Sequence, residues 1–185
     1  MRCLAALFAP PSRELQHAVP RMRASGGGRI IFLSSLWGRL SGPMVSHYAA
    51  SKHAIEAIVD AARREFGPWN IDLVQIEPGV VATDMVSLQA AAAEARSAGL
   101  VGEEARHHGP LYRNYAKLLP TAYAKSSSAQ AVAERIGQIV EARRIKPRYA
   151  VGTDAHAMIT LAALLLARWL VGLFRSQLPV VDKSR

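Results

Sequence analysis

The chain has 185 residues, 50% of them hydrophobic and 20% charged, with 13 Gly, 10 Pro and one Cys. That composition excludes a disordered tail, a collagen-like fibre and a disulfide-stapled mini-protein, and suits one globular domain or part of a larger one. Lys and Arg number 23 against 14 Asp and Glu, a formal charge of +9, but these residues are scattered through expected helices with few aromatics between them. Neither a stacking platform nor a reading helix is visible, so no nucleic-acid partner is expected.

The first ten residues carry one positive charge and a short apolar run, too brief for a signal peptide and without a clear cleavage site. Cys3 has no second cysteine to pair with. Residues 12–24 are predicted helical and stop at Ser25-Gly26-Gly27-Gly28. Arg29 to Leu33 is a short apolar run of the kind found in parallel strands buried on both faces. A polar loop, Ser34 to Pro43, leads to a long helix over 46–66, and a second strand over 71–76 is closed by Pro78-Gly79.

Residues 84–128 lack strand character and hold helical fragments such as Val86 to Ala98, the string His107-His108-Gly109-Pro110, and several tyrosines. Ser127 and Gln130 are spaced as a capping box, opening a helix whose apolar stripe is Val132, Ile136, Ile139 and Val140. A third strand is expected from Arg148 to Gly152. The apolar run 157–174 contains Leu164-Leu165-Leu166 and is interrupted by Arg168. A spanning helix wants about 20 apolar residues, and a central Arg opposes insertion. The run reads as a buried or subunit-interface helix, with contact at a membrane surface as the alternative. Strands separated by helices imply an α/β layered sheet with parallel pairing.

Tyr48 and Lys52 stand four residues apart and share one helix face with Ile55, Val59 and Ala62. One reading is a snorkelling lysine beside a half-buried tyrosine. The other follows from the strand ends. Ser34-Ser35 closes the first strand and Glu77-Pro78-Gly79-Val80-Val81-Ala82-Thr83 closes the second, and ligands in open α/β sheets bind beyond those carboxyl ends. A serine, a tyrosine and a lysine would then meet in one crevice. An ammonium near a phenol lowers its pKa from about 10, which suits acid–base work near neutral pH, and a serine hydroxyl can hold a substrate oxygen. No metal site is expected: Cys3 stands alone, and His47, His53, His107, His108 and His156 have no ligand spacing.

These residues resemble the short-chain dehydrogenase/reductase family. Its serine, followed after thirteen residues by Tyr-x-x-x-Lys, is matched by Ser35, Tyr48 and Lys52, and its Pro-Gly-x-Val-x-Thr turn by Pro78, Gly79, Val81 and Thr83. The strand from Gly28 to Ser35 and the string Tyr48-Ala49-Ala50-Ser51-Lys52 are also similar. The resemblance implies hydride transfer between an alcohol and a ketone or aldehyde with NAD or NADP as cofactor. It makes Tyr48 the proton-exchanging group, Lys52 the holder of the nicotinamide ribose, and Ser35 the group that positions the carbonyl. Main-chain groups near Gly79 and Val81, with the Thr83 hydroxyl, would orient the carboxamide. It also implies a homo-oligomer built around the tyrosine-bearing helix. Residues 85–128 match the family's variable substrate loop, where Met85, Leu88, Tyr112, Tyr115, Leu118 and Leu119 suit an apolar substrate or, equally, core packing.

The family's first strand and glycine-rich pyrophosphate turn have no counterpart, because Gly26-Gly27-Gly28 precedes a strand instead of following one. The family's helix asparagine would fall near Leu7, and the similarity is expected to fade before residue 12. The expected fold is therefore the C-terminal part of a Rossmann-like doubly wound parallel sheet. It is one partial domain over 1–185, with a catalytic core at 12–84, the substrate loop region at 85–128, and C-terminal helices with the last strand at 129–185. Such a piece would lack a surface for adenosine and pyrophosphate. Its alternative role is a non-catalytic interaction or membrane-associated module; the expected location is cytoplasmic, with membrane association through 157–174 as a variant.

Overall fold

Three parallel strands, β1 (Gly28–Leu33), β2 (Ile71–Pro78) and β3 (Arg148–Val151), lie in the order β1-β2-β3. They belong to a computed structural model that describes residues 2–165 and Trp169, with side chains from residue 13 onward. Helices α1 (Arg2–Ala24) and α2 (Ser46–Phe66) precede and follow β1, while α3 (Asp84–Ala98), α4 (Gly102–Ala124) and α5 (Ala129–Glu141) join β2 to β3. Helix α6 (Thr153–Leu164) comes last among the described elements.

The central strand shows why the layers form. Along β2 every residue but Asp72 is buried, as a strand covered on both faces must be. Leu73 packs with Val59 and Ala62 of α2 and with Leu15 and Val19 of α1. Its neighbours Val74 and Ile76 point the other way, onto Val132 and Ile139 of α5. Arg29 fastens that second layer. Its guanidinium donates to the carbonyl oxygens of Ile139, Val140 and Ala142 at the C-terminus of α5, where carbonyls lack helical partners, and it pairs with Asp72 across the strand at 3.1 Å. This three-layer α/β arrangement is the one expected for part of a Rossmann-like sheet.

Several local expectations need correction. Helix α1 begins at Arg2, not residue 12; Pro10 and Pro11 remove donors only for carbonyls one turn earlier, and the anchoring contacts through Leu15 and Val19 lie beyond them. The fragments expected over 84–128 are two long helices, and α4 runs unbroken through Pro110 and Pro120. Packing against α3 carries it: Gly109 is buried at the crossing, where the Ser97 hydroxyl donates to its carbonyl oxygen at 3.3 Å. The cap of α5 is Ser128, whose Oγ accepts the Ala131 N–H at 3.1 Å, not Ser127. The Ser127 main chain is engaged elsewhere, in a parallel bridge with Val81. Val140 is 62% exposed and lies outside the α5 stripe that packs on the sheet. Of the run 157–174, residues 166–168 and 170–174 lie outside the described residues. Among those described, no helix is long and apolar enough to cross a membrane.

Candidate active site

The C-terminal ends of β1 and β2 and the first turns of α2 meet at one edge. Ser35 stands in extended backbone just past β1 and caps a 3-10 turn (Leu36–Gly38): its Oγ accepts the Trp37 N–H at 3.2 Å and donates toward the Pro78 carbonyl at 3.5 Å. It is buried, and so ties the end of β1 to the turn that closes β2. The loop that follows reaches α2 through Met44, which holds a positive φ of 69°. A non-glycine residue in that region bears strain, here at the point where the chain turns to deliver Tyr48.

Tyr48 and Lys52 lie one turn apart, as their spacing predicts, and the ammonium sits 5.6 Å from the centre of the phenol ring. Lys52 Nζ donates to the carbonyl oxygen of Leu33, the last residue of β1, at 3.0 Å. The lysine is half-buried and tied to the strand end. Burial lowers the pKa of its ammonium from the usual 10.5, against the opposing pull of the Glu56 carboxylate one turn along α2. Ile55 packs on the α2 core cluster, where Val59 and Ala62 are buried. The polar pair thus occupies the end of an apolar stripe.

The turn after β2 is held from behind. Gly79 N–H donates to Val151 O at 2.9 Å, Ser127 N–H to Val80 O at 2.9 Å, and Ala82 N–H to Ser127 O at 2.8 Å. In this parallel bridge the Ser127 N–H and C=O bond to the residues on either side of Val81, so the N–H and C=O of Val81 itself point away. Among the described residues no hydrogen bond takes up the Val81 N–H. The Thr83 hydroxyl donates to Val81 O at 3.5 Å, so Thr83 closes its own turn.

Two groups that the sequence reading missed surround this edge. Glu56 and Glu77 are buried, at 6% and 3% exposure, on the α2 side of the sheet. Glu56 Oε2 accepts from Gln75 Nε2 at 2.8 Å and from Arg148 Nε at 3.0 Å, and Glu77 Oε1 lies 3.2 Å from Arg148 Nε. Burial, then the neighbouring Glu56 carboxylate, pushes the Glu77 pKa up to about 7, against the pull of Arg39 and Arg148. A glutamine and a glutamate two residues apart, Gln75 and Glu77, on one face of a buried strand were the available signal. The second group is Asp154, on the first turn of α6, whose Oδ2 accepts the Val80 N–H at 2.7 Å.

Ser35, the Tyr48–Lys52 pair and the open Val81 N–H thus lie at the carboxyl ends of β1 and β2. Known proteins share the chain's features. A family model described as short chain dehydrogenase matches residues 3–94, so the likeness begins at residue 3, ahead of the expected residue 12. A probable short-chain type dehydrogenase/reductase, VdlC, of Helicobacter pylori is 31% identical over 171 residues, covering 92% of this chain and 59% of that protein. An NADPH-dependent 3-dehydrocapnine reductase of Ornithobacterium rhinotracheale is 32% identical over 124 residues, covering 67% and 41%. The chain thus spans about half the length of the curated relatives it matches. Among solved structures, a short-chain dehydrogenase from Streptomyces avermitilis aligns over 90% of this chain and 56% of its own, with TM-score 0.63 and 23% identity. One from Burkholderia cenocepacia, solved with NADP, aligns over 92% and 56% with TM-score 0.62 and 16% identity; both support the fold. Motif, sheet order and sequence similarity agree: the chain belongs to the short-chain dehydrogenase family, a family of oxidoreductases.

Proposed function

We propose that the chain carries the catalytic residues of an NAD(P)-dependent oxidoreductase that interconverts an alcohol and a ketone or aldehyde. The observation that carries this reading is Lys52, hydrogen-bonded to the Leu33 carbonyl beside the Tyr48 ring at the carboxyl edge of the sheet. The open Val81 N–H and the nearby ammonium fit a nicotinamide carboxamide and its ribose hydroxyls, and the Thr83 hydroxyl lies on the same turn. Pro78 and Gly79 shape that turn. A bound nicotinamide cofactor supplies or accepts the hydride. Tyr48 gives its hydroxyl proton to the substrate oxygen as a carbonyl becomes an alcohol, and regains one from water; the reverse reaction returns that proton. Ser35 holds the same oxygen, and Lys52 stabilises the tyrosinate left behind.

Met85, Leu88 and Leu118 are exposed, at 50%, 67% and 39%, so core packing does not explain them. Their place on the α3–α4 hairpin beyond the Thr83 turn favours an apolar substrate. A second copy of this chain is the proposed partner across the groove between α1 and α2, where Leu15, Val19, Ile58, Phe66 and Trp69 form a mostly apolar wall with Arg23 over the Trp69 ring. Sedimentation velocity reads that association directly. The activity is tested by following NADH and NADPH oxidation with a panel of aliphatic and aromatic ketones and aldehydes. Turnover that vanishes in Tyr48→Phe supports the reading; turnover unchanged by that substitution overturns it.

A further inference from the structure

The Gly79–Val80 turn is built around a carboxylate that the catalytic reading does not use. Asp154 Oδ2 accepts the Val80 N–H at 2.7 Å, while Oδ1 is buried without a partner among the described residues. Two glycines make room for it. A Cβ on Gly79 would overlap both carboxylate oxygens, and one on Gly152 would come within 2.5 Å of Oδ1 and 2.8 Å of Ser127 Oγ. Gly152 also holds a φ of 101°, which any side chain would strain. Both glycines lie at strand ends, Gly79 after β2 and Gly152 after β3, so the slot exists only where the two strands are in register. A desolvated carboxylate accepting a main-chain N–H makes a strong bond. With Gly79 N–H on Val151 and Ala82 N–H on Ser127, this bond leaves the Val81 N–H open between two neighbours whose N–H groups are engaged.

We propose that Asp154 is a positioning residue for the cofactor: it clamps Val80 so that the neighbouring Val81 N–H faces the nicotinamide carboxamide. The role rests on the dehydrogenase reading above. Asp154 itself touches neither substrate nor cofactor; its carboxylate fixes one peptide so that the next points outward. The glycine of the Pro-Gly turn is then explained by this carboxylate as well as by chain reversal.

Two measurements on the full chain separate this role from the broader reading. The first is amide hydrogen exchange of residues 79–84 in the ligand-free protein. The second is the affinity for NADH and NADPH, read by quenching of protein fluorescence. Asp154→Ala should speed Val80 exchange and weaken cofactor binding by roughly tenfold, the share of one charge-assisted bond that reaches the ligand. Asp154→Asn keeps an acceptor in place and should recover most of the affinity, which a merely structural loss would not predict. Should Asp154→Ala fold poorly, Gly79→Ala, which pushes the carboxylate out, should give the same pair of changes. Unchanged exchange overturns the clamp. Faster exchange with unchanged affinity overturns the cofactor role. Wild-type protein that binds neither dinucleotide overturns the dehydrogenase reading and the cofactor role together.

Discussion

Lys52 and Leu33 are joined across the helix–strand interface by one hydrogen bond, from the ammonium to the last carbonyl of β1 at 3.0 Å. The bond holds the lysine in place while burial lowers its pKa and Glu56 opposes that shift. A function that needs the ammonium is therefore lost on the alkaline side at a lower pH than an ordinary lysine would allow. In Glu56→Gln the supporting charge is gone, and the alkaline limb of the kcat/KM profile should move to still lower pH. An unmoved limb would show that Lys52 does not set it.

Tyr48→Phe should reduce turnover by roughly 10²–10⁴-fold, the usual worth of a positioned acid–base group. Among the described residues the Tyr48 hydroxyl makes no hydrogen bond, and the ring, which Phe keeps, faces the Lys52 ammonium. Thermal unfolding should therefore hardly change. A large drop in Tm accompanying the loss would mean that the phenol is structural.

The buried carboxyl pair gives the protein a pH-dependent stability. Glu77 has a pKa of about 7 in the folded chain against 4.5 for an ordinary glutamate. Between those values the native state binds the additional proton, so stability falls as pH rises through that window. Asp60 acts in the opposite sense and at lower pH. Burial would raise its pKa, but its bonds to Arg148 and Arg63 outweigh that and lower it below 3.8. Its contribution is present above that value and fades as pH falls through the lowered one. Thermal midpoints measured between about pH 5 and about pH 8 should decline, and Glu77→Gln should flatten the decline.

Arg29→Ala tests the second layer of the fold. It removes the donors to three carbonyls at the end of α5 and the pair with Asp72. The loss should be about 1 kcal/mol, because two part-buried carbonyls and one exposed carbonyl lose their donor. Chemical denaturation measures it; a change within error would mean that water replaces the guanidinium.

The long helix and its tyrosine–lysine pair were legible because period and position agreed: a single apolar stripe runs from Lys52 through Val59 to Ala62, and its ends fall where the composition changes. The three strands were legible for the same local reason. The hairpin was not, since Gly109-Pro110 reads as a break and only the packing of α3 on α4 overrides it. Ser127 was misread because its partner, Val81, lies far away in sequence. Asp154 was invisible for a similar reason. Its meaning depends on two glycines brought together by strand register, and a lone aspartate near a helix start otherwise reads as a favourable charge at the dipole.

The bridge between Val81 and Ser127 has a consequence for how such a protein can change. It fastens the two ends of segment 82–126 to one another, so the helical hairpin leaves and rejoins the molecule at a single point. Closing a chain excursion costs little more as it lengthens. Insertions, deletions or wholesale exchange confined to α3 and α4, beyond Thr83, should leave the Tyr48 edge untouched. Under the proposed dehydrogenase reading, an evolving lineage could alter substrate selectivity in this part and keep the chemistry constant.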